Sequence, residues 1–70
     1  MRIYSVCVGN YERISDSKKA EKQLLDMGYK SYPFNKKGYY TLKVLTTPNR
    51  DKAFFLKQYL ENKGFEVTVE

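Results

Sequence analysis

Ser5, Cys7, Tyr39, Thr41 and Lys43 are the residues of this chain whose type and spacing could do chemistry. Within each of the two runs they recur every second position, so a strand would project each run from one face. Asn10 stands just beyond the first run, and Lys30 and Tyr32 form a third group on one register. On the other register Tyr32 and Phe34 are a buried pair, and the residues alone leave that choice open. Hydroxyls both donate and accept hydrogen bonds. Tyrosine offers an apolar ring with a polar tip. Such a surface suits a sugar polymer, with its C–H faces and hydroxyl edges, or single-stranded RNA, whose bases stack on rings. Catalysis finds much less to work with. The chain has no His and one Cys, which leaves no Ser/His or Cys/His pair and no plausible zinc site. No two carboxylates converge on a pocket, so acid–base hydrolysis is not expected. Neither a cofactor nor a metal is implied. Cys7 falls mid-strand and reads as a small, semi-apolar side chain rather than a reactive thiol.

The elements that must position these residues come from a repeat. Sliding the chain by 36 residues without gaps lays Tyr4 on Tyr40, Val8 on Val44, Leu24 on Leu60 and Gly28 on Gly64. Ser5 falls on Thr41, Val6 on Leu42, Ala20 on Leu56 and Tyr29 on Phe65. A fixed period marks one supersecondary unit used twice. Each unit reads strand, loop, helix, Gly, aromatic, strand. Ile3 to Val8 alternates as a half-buried strand with Tyr4, Val6 and Val8 inward, and Gly9-Asn10-Tyr11 ends it. Asp16 or Ser17 is expected to cap a helix whose buried face is Ser17, Ala20, Leu24 and Met27, with Gly28 as its stop. A second strand is expected from Tyr29 to Phe34, at a sheet edge because of Pro33. Asn35-Lys36-Lys37-Gly38 reads as a hairpin turn. Tyr39 to Leu45 is the third strand, with Tyr40, Leu42 and Val44 inward. Asn49 caps the second helix, which buries Ala53, Leu56 and Leu60 and stops at Gly64. Phe65, Val67 and Val69 alternate as the last strand, with Glu66 and Thr68 outward.

Two right-handed crossovers place both helices on the same sheet face. The expectation is therefore an α+β domain of βαββαβ order, ferredoxin-like or RNP-like, with a four-stranded antiparallel sheet and an internal pseudo-twofold. Its repeat halves cover about residues 3–34 and 39–70 of one domain, 1–70. The sheet face opposite the helices is left open, which antiparallel strands tolerate. On the helix wheels Leu25 and Phe54 point away from the buried stripes and are candidates for a protein contact, such as a weak homodimer or a neighbouring domain.

Composition narrows the partners. Thirteen Lys and Arg against eight Asp and Glu give a net charge of +5, which favours a polyanion or an anionic wall or membrane surface. The lysines are scattered, and most read as a solvated surface. No apolar run approaches the roughly 18 residues of a membrane span. Met1-Arg2 leads directly into the first strand, which does not read as a secretory signal. The chain is then either cytoplasmic as it stands or part of a longer exported protein.

Tyr4-x-Val6-x-Val8-Gly9-x-Tyr11, then Ala20, Leu24 and Gly28-Tyr29, resembles the first half of a SPOR domain, the sporulation-related repeat. Tyr39-Tyr40-x-Leu42-x-Val44, then Ala53, Leu56, Leu60 and Gly64-Phe65, resembles its second half. The resemblance covers nearly the whole chain. It implies a non-catalytic module that binds bacterial peptidoglycan and favours glycan strands stripped of stem peptides. Such modules occur in cell-division proteins, lytic transglycosylases and amidases of the cell envelope. By this resemblance the glycan lies across the open face. Tyr39, and Tyr32 if exposed, would stack on sugar rings. Ser5, Asn10 and Thr41 would bond hydroxyl or acetamido groups, with Cys7 beside them. Lys43 and Lys30 would meet lactyl carboxylates. The chain departs from the family in having Cys7 where Gln is frequent, Asn10 where Ser occurs, and Val44-Leu45-Thr46-Thr47 where Val-Gly-x-Phe often repeats.

The rival of the same length and fold is the RNA-recognition motif. Lys37-Gly38-Tyr39 meets the start of its strand-three signature, but Tyr40 and Thr41 break it, and Cys7 stands where strand one carries a ring. Each missing ring removes roughly 1–3 kcal/mol of stacking. A protein-interaction module is a third reading, and a small enzyme of this fold is the weakest. No DNA partner is expected.

Overall fold

A computed structural model describes residues 2–70, with Met1 outside the described residues. The elements are β1 (Tyr4–Tyr11), α1 (Ile14–Asp26), β2 (Tyr32–Lys36), β3 (Tyr39–Thr47), α2 (Arg50–Asn62) and β4 (Val67–Val69). They form the α+β arrangement expected, one antiparallel sheet in the order β2-β3-β1-β4. Val6, Val8, Leu42 and Val67 from the strands meet Ala20 and Leu24 of α1 and Ala53, Leu56 and Leu60 of α2 in one core. Both helices therefore cover one face, and the other is free of helices.

The pairing follows the 36-residue offset. Cys7 pairs with Lys43, its own counterpart, so the pseudo-dyad passes between them. Tyr32 pairs with Lys43 and Thr68 with Cys7; Pro33 pairs with Leu42 and Val69 with Val6. Tyr4 opposite Thr47 matches Tyr40 opposite Tyr11. Two register shifts interrupt the central ladder. Between Val6 and Cys7 the extra residue lies in β3, at Val44. Between Val8 and Tyr11 it lies in β1, at Gly9–Asn10. A bulge of this kind bends the strand and re-aims side chains. The first shift turns both Val44 and Leu45 against the core, whereas strict alternation puts Leu45 outward.

Several boundaries differ from the sequence expectation: β1 runs on to Tyr11, β2 to Lys36 and β3 to Thr47. The cap of α1 is Arg13, which makes no side-chain bond, rather than Asp16 or Ser17. Ser17 is instead buried in the first turn, its Oγ donating to the Ile14 carbonyl at 2.7 Å. The second strand starts at Tyr32 rather than Tyr29, because Tyr29 is used to close the helix: its N–H bonds the Leu24 carbonyl at 2.8 Å. Phe65 does the same to Leu60 at 3.2 Å, which leaves β4 only three residues long. Asn49 does cap α2, its Oδ1 accepting from the Lys52 N–H at 3.1 Å.

The hairpin between β2 and β3 turns on Lys37 and Gly38, with φ of 53° and 85°. Positive φ at both central residues is the two-residue turn whose twist matches the flanking strands. Asn35 Oδ1 supports it by accepting from the Gly38 N–H at 3.1 Å.

Candidate functional site

The open face is built in rows that cross the sheet. The dyad row runs Tyr32, Lys43, Cys7, Thr68. The next row pairs Phe34 with Thr41 and continues to Asn10 and Glu66, because Thr41 Oγ1 donates to Asn10 Oδ1 and Asn10 Nδ2 to Glu66 Oε1, each at 3.5 Å. These are long, weak bonds. They depend on the Gly9–Asn10 bulge, which brings Asn10 onto the same side as Thr41. On the other side of the dyad row, Ser5 pairs with Thr46 and exchanges two backbone bonds of 2.9 Å with Glu70.

The two central strands offer less than their sequence suggests. Cys7 is 2% exposed and Thr41 is 4% exposed, so neither is a surface contact. Their positions are outward, but neighbouring side chains close over them. Thr41 bonds Asn10, and Cys7 is paired with Lys43 in the central ladder. Burial pushes the Cys7 thiol above its ordinary value, and the charges of Lys43 and then Lys36 pull back only part of that rise. It is therefore a poor nucleophile. Ser5 is half-buried.

The rings stand on the edge strand β2, at Tyr32 and Phe34, and at the start of the neighbouring strand β3, at Tyr39. Tyr32 is 58% exposed and Tyr39 41% exposed. Phe34, half-buried, lies on the same side as Tyr32, so the two are neither separated by the sheet nor buried together. Lys30 Nζ lies 5.8 Å from the centre of the Tyr32 ring, and Lys43 Nζ lies 5.6 Å from that of Phe34. Cations at that range over a ring are attracted by its negative face. Tyr32 and Phe34 with these two lysines form a basic aromatic shelf. Phe34 was missed as a site residue by sequence reasoning, although it lies two positions from Tyr32 and shares its register.

Lys36 was also missed. Since β2 and β4 run in opposite directions, Lys36 at the end of β2 and Glu70 just past β4 occupy diagonal corners of the sheet. Sheet twist raises one such pair of corners toward one face. Lys36 and Glu70 meet there as an ion pair across the open face. Below this diagonal lies a concavity of about 560 Å³ lined by Asn10, Lys36, Lys37, Tyr39 and Thr68. It gathers an aromatic ring, two ammonium groups, an amide and a hydroxyl. This assembly can hold a ring with polar substituents and can offset negative charge, but it has no group placed for proton transfer. No group of three or more His, Cys, Asp or Glu gathers as a metal site among the described residues.

On the helical side Leu25 is exposed as expected. Phe54 is partly engaged, edge-on to Tyr4 with centroids 6.4 Å apart and with the Arg50 guanidinium 5.3 Å from its centre. Phe55, at 73% exposed, projects further than either. On the helical wheel Phe55 lies as far from the Ala53, Leu56 and Leu60 stripe as Phe54 does, so the same signal could have found it.

No family model matches the chain, and no curated protein does. Among solved structures, the solution structure of the peptidoglycan binding domain of the B. subtilis cell wall lytic enzyme CwlC superposes with a TM-score of 0.79. It is 22% identical, and the match covers 97% of this chain and 86% of that one. The likeness is one of fold.

Proposed function

We propose that this chain is a SPOR-type, non-catalytic module that binds bacterial peptidoglycan, taking glycan strands stripped of stem peptides across its open sheet face. The observation that carries this reading is the exposed shelf of Tyr32, Phe34 and Tyr39 flanked by Lys30, Lys36, Lys37 and Lys43, on the face that no helix covers. Its fold is shared with a peptidoglycan binding domain, and its half motifs resemble that family. Tyr32 and Tyr39 stack on the C–H faces of sugar rings. Asn10, Thr68 and Ser5 bond hydroxyl and acetamido groups. The lysines meet the carboxylates that peptide removal uncovers. A stem peptide on the strand collides with the shelf, which explains the preference for bare glycan. Such a module works at the cell envelope as part of an exported protein.

RNA binding is the weaker use of the same face. Its stacking mode needs rings on the two central strands, and here those strands supply buried Cys7 and buried Thr41 and only Tyr39 as an exposed ring. The deciding experiment is co-sedimentation with amidase-treated and untreated sacculi at low and high salt. Retention on treated sacculi that survives high salt, and that Tyr32→Ala and Tyr39→Ala reduce, supports the reading. Retention equal on both preparations, or lost at modest salt, leaves only the attraction of a basic surface and refutes it.

A further inference from the structure

The ion pair that crosses the open face has no counterpart required by the fold. Lys36 and Glu70 are both substantially exposed, at 42% each for the side chains, and neither contributes to the core. Yet the carboxylate of Glu70 is brought to Lys36, one of the two ammonium groups that line the concavity with Asn10, Tyr39 and Thr68. The other two open-face lysines of the central and edge strands are directed to rings, Lys30 to Tyr32 and Lys43 to Phe34. Of these three lysines, Lys36 is the one directed to an anion. From this we infer that the concavity is a subsite for an acidic sugar, and that Glu70 holds at Lys36 the place that the ligand's carboxylate takes on binding. The inference rests on the saccharide reading above and deepens it.

The chemistry of the lining supports the assignment. Tyr39 supplies the flat apolar contact for a pyranose ring. Asn10 and Thr68 supply donors and acceptors for its hydroxyl or acetamido substituents. Lys36 and Lys37 supply positive charge at the same end, so an anionic substituent is favoured over a neutral one of the same shape. In the free chain Glu70 neutralises part of that charge. A ligand carboxylate must exchange with it, whereas a neutral sugar gains nothing from the exchange. Glu70 therefore lowers the advantage of acidic over neutral sugars that Lys36 and Lys37 create.

The test compares three oligosaccharides by NMR titration of the whole chain. The first is a tetrasaccharide of alternating N-acetylglucosamine and N-acetylmuramic acid with free carboxylates. The second is the same tetrasaccharide with its carboxylates converted to primary amides, and the third is the tetramer of N-acetylglucosamine. The wild type should bind the acid form about two- to five-fold more tightly than the amide form, the range of an exposed ion pair. Glu70→Gln should raise that ratio a further two- to five-fold, and Lys36→Gln should lower it toward one, leaving what Lys37 supplies. In 1 M salt the ratios should converge, since screening then acts over roughly 3 Å. A ratio unchanged in Glu70→Gln, or one undiminished in Lys36→Gln, overturns the inference while leaving glycan binding intact. Failure of all three sugars and of sacculi to bind overturns both.

Discussion

Gly9 is where the backbone, the core and the open face meet, and replacing it with Ala should be the most informative small change in the chain. Gly9 has φ of 77° and sits in the β1 bulge. A Cβ there would drive into the Tyr11 ring at Cε2, Cζ and Cδ2. The left-handed conformation costs a non-glycine residue about 1–2 kcal/mol. Tyr11 is half-buried against the core, and displacing it forfeits about half of the roughly 1.5–3 kcal/mol that full burial of a large side chain supplies. Gly9→Ala should therefore lose about 2–3 kcal/mol. A chain of 70 residues has a total stability of roughly 3.5–10 kcal/mol at about 0.05–0.15 kcal/mol per residue. The loss should lower the melting temperature by roughly 8–24 °C at about 4–8 °C per kcal/mol. Urea denaturation of Gly9→Ala, Tyr11→Ala and the double variant separates the two contributions. Once the ring is gone only the backbone strain remains, so the double variant should be about 1 kcal/mol more stable than the sum of the single losses implies. A loss below about 1 kcal/mol in Gly9→Ala, or strictly additive losses, would refute the account of the bulge.

Two further outcomes follow from the turn and the buried titratable groups. Lys37 adopts φ of 53° without being glycine, so Lys37→Gly should raise the urea midpoint, by about 0.5–1 kcal/mol after the greater unfolded-state freedom of Gly offsets part of the relieved strain; an unchanged or lower midpoint would mean the turn stores no strain. Burial raises the Cys7 thiol, and burial followed by the charges of Glu66 and Asp16 raises the Tyr11 hydroxyl. For both, the folded chain holds the proton more tightly than the unfolded chain. That stability is complete below the ordinary values of 9.0 and 10.0 and falls as pH rises through them toward the folded values. The urea midpoint should drop between pH 8 and pH 11, less steeply in Tyr11→Phe, and thiol labelling at neutral pH should be slow until urea unfolds the chain. A flat profile or rapid native labelling would show Cys7 to be open to solvent.

What the sequence made legible is what periodicity encodes. The strand alternation of residues 3–8, the helical stripes Ala20–Leu24 and Ala53–Leu56–Leu60, and the Asn49 cap all reappear in the structure. The α1 start was misplaced because Asp16 and Ser17 are good caps by type, while the helix begins at Ile14 and uses Ser17 inside its first turn. Bulges have no period, so the turn of Leu45 into the core was invisible. The burial of Cys7 is set by long side chains from other strands, and the Lys36–Glu70 pair spans 34 positions; neither leaves a local trace. The site was thus legible in its strand positions and illegible in its accessibility.

The repeat itself explains this division. Where the two halves agree, at Val8 and Val44 or Leu24 and Leu60, the side chains face the core, and a core packed around a dyad constrains both copies alike. Core positions that differ, such as Val6 and Leu42 or Ala20 and Leu56, stay apolar, whereas on the open side the differences change chemical type. Tyr32 stands opposite Thr68 across the dyad, Phe34 opposite Glu70, Lys30 opposite Glu66, and Lys43 opposite Cys7. Each of these pairs shares one backbone environment and differs only in chemistry. The β2 edge thereby gains rings and ammonium groups, and the β4 edge gains hydroxyls and carboxylates. A symmetric frame has no sidedness of its own, so the sidedness of this face arises wholly from the positions at which the 36-residue offset fails. Substitutions at the core positions of either half should act on stability, and those at the unmatched open-face positions on recognition.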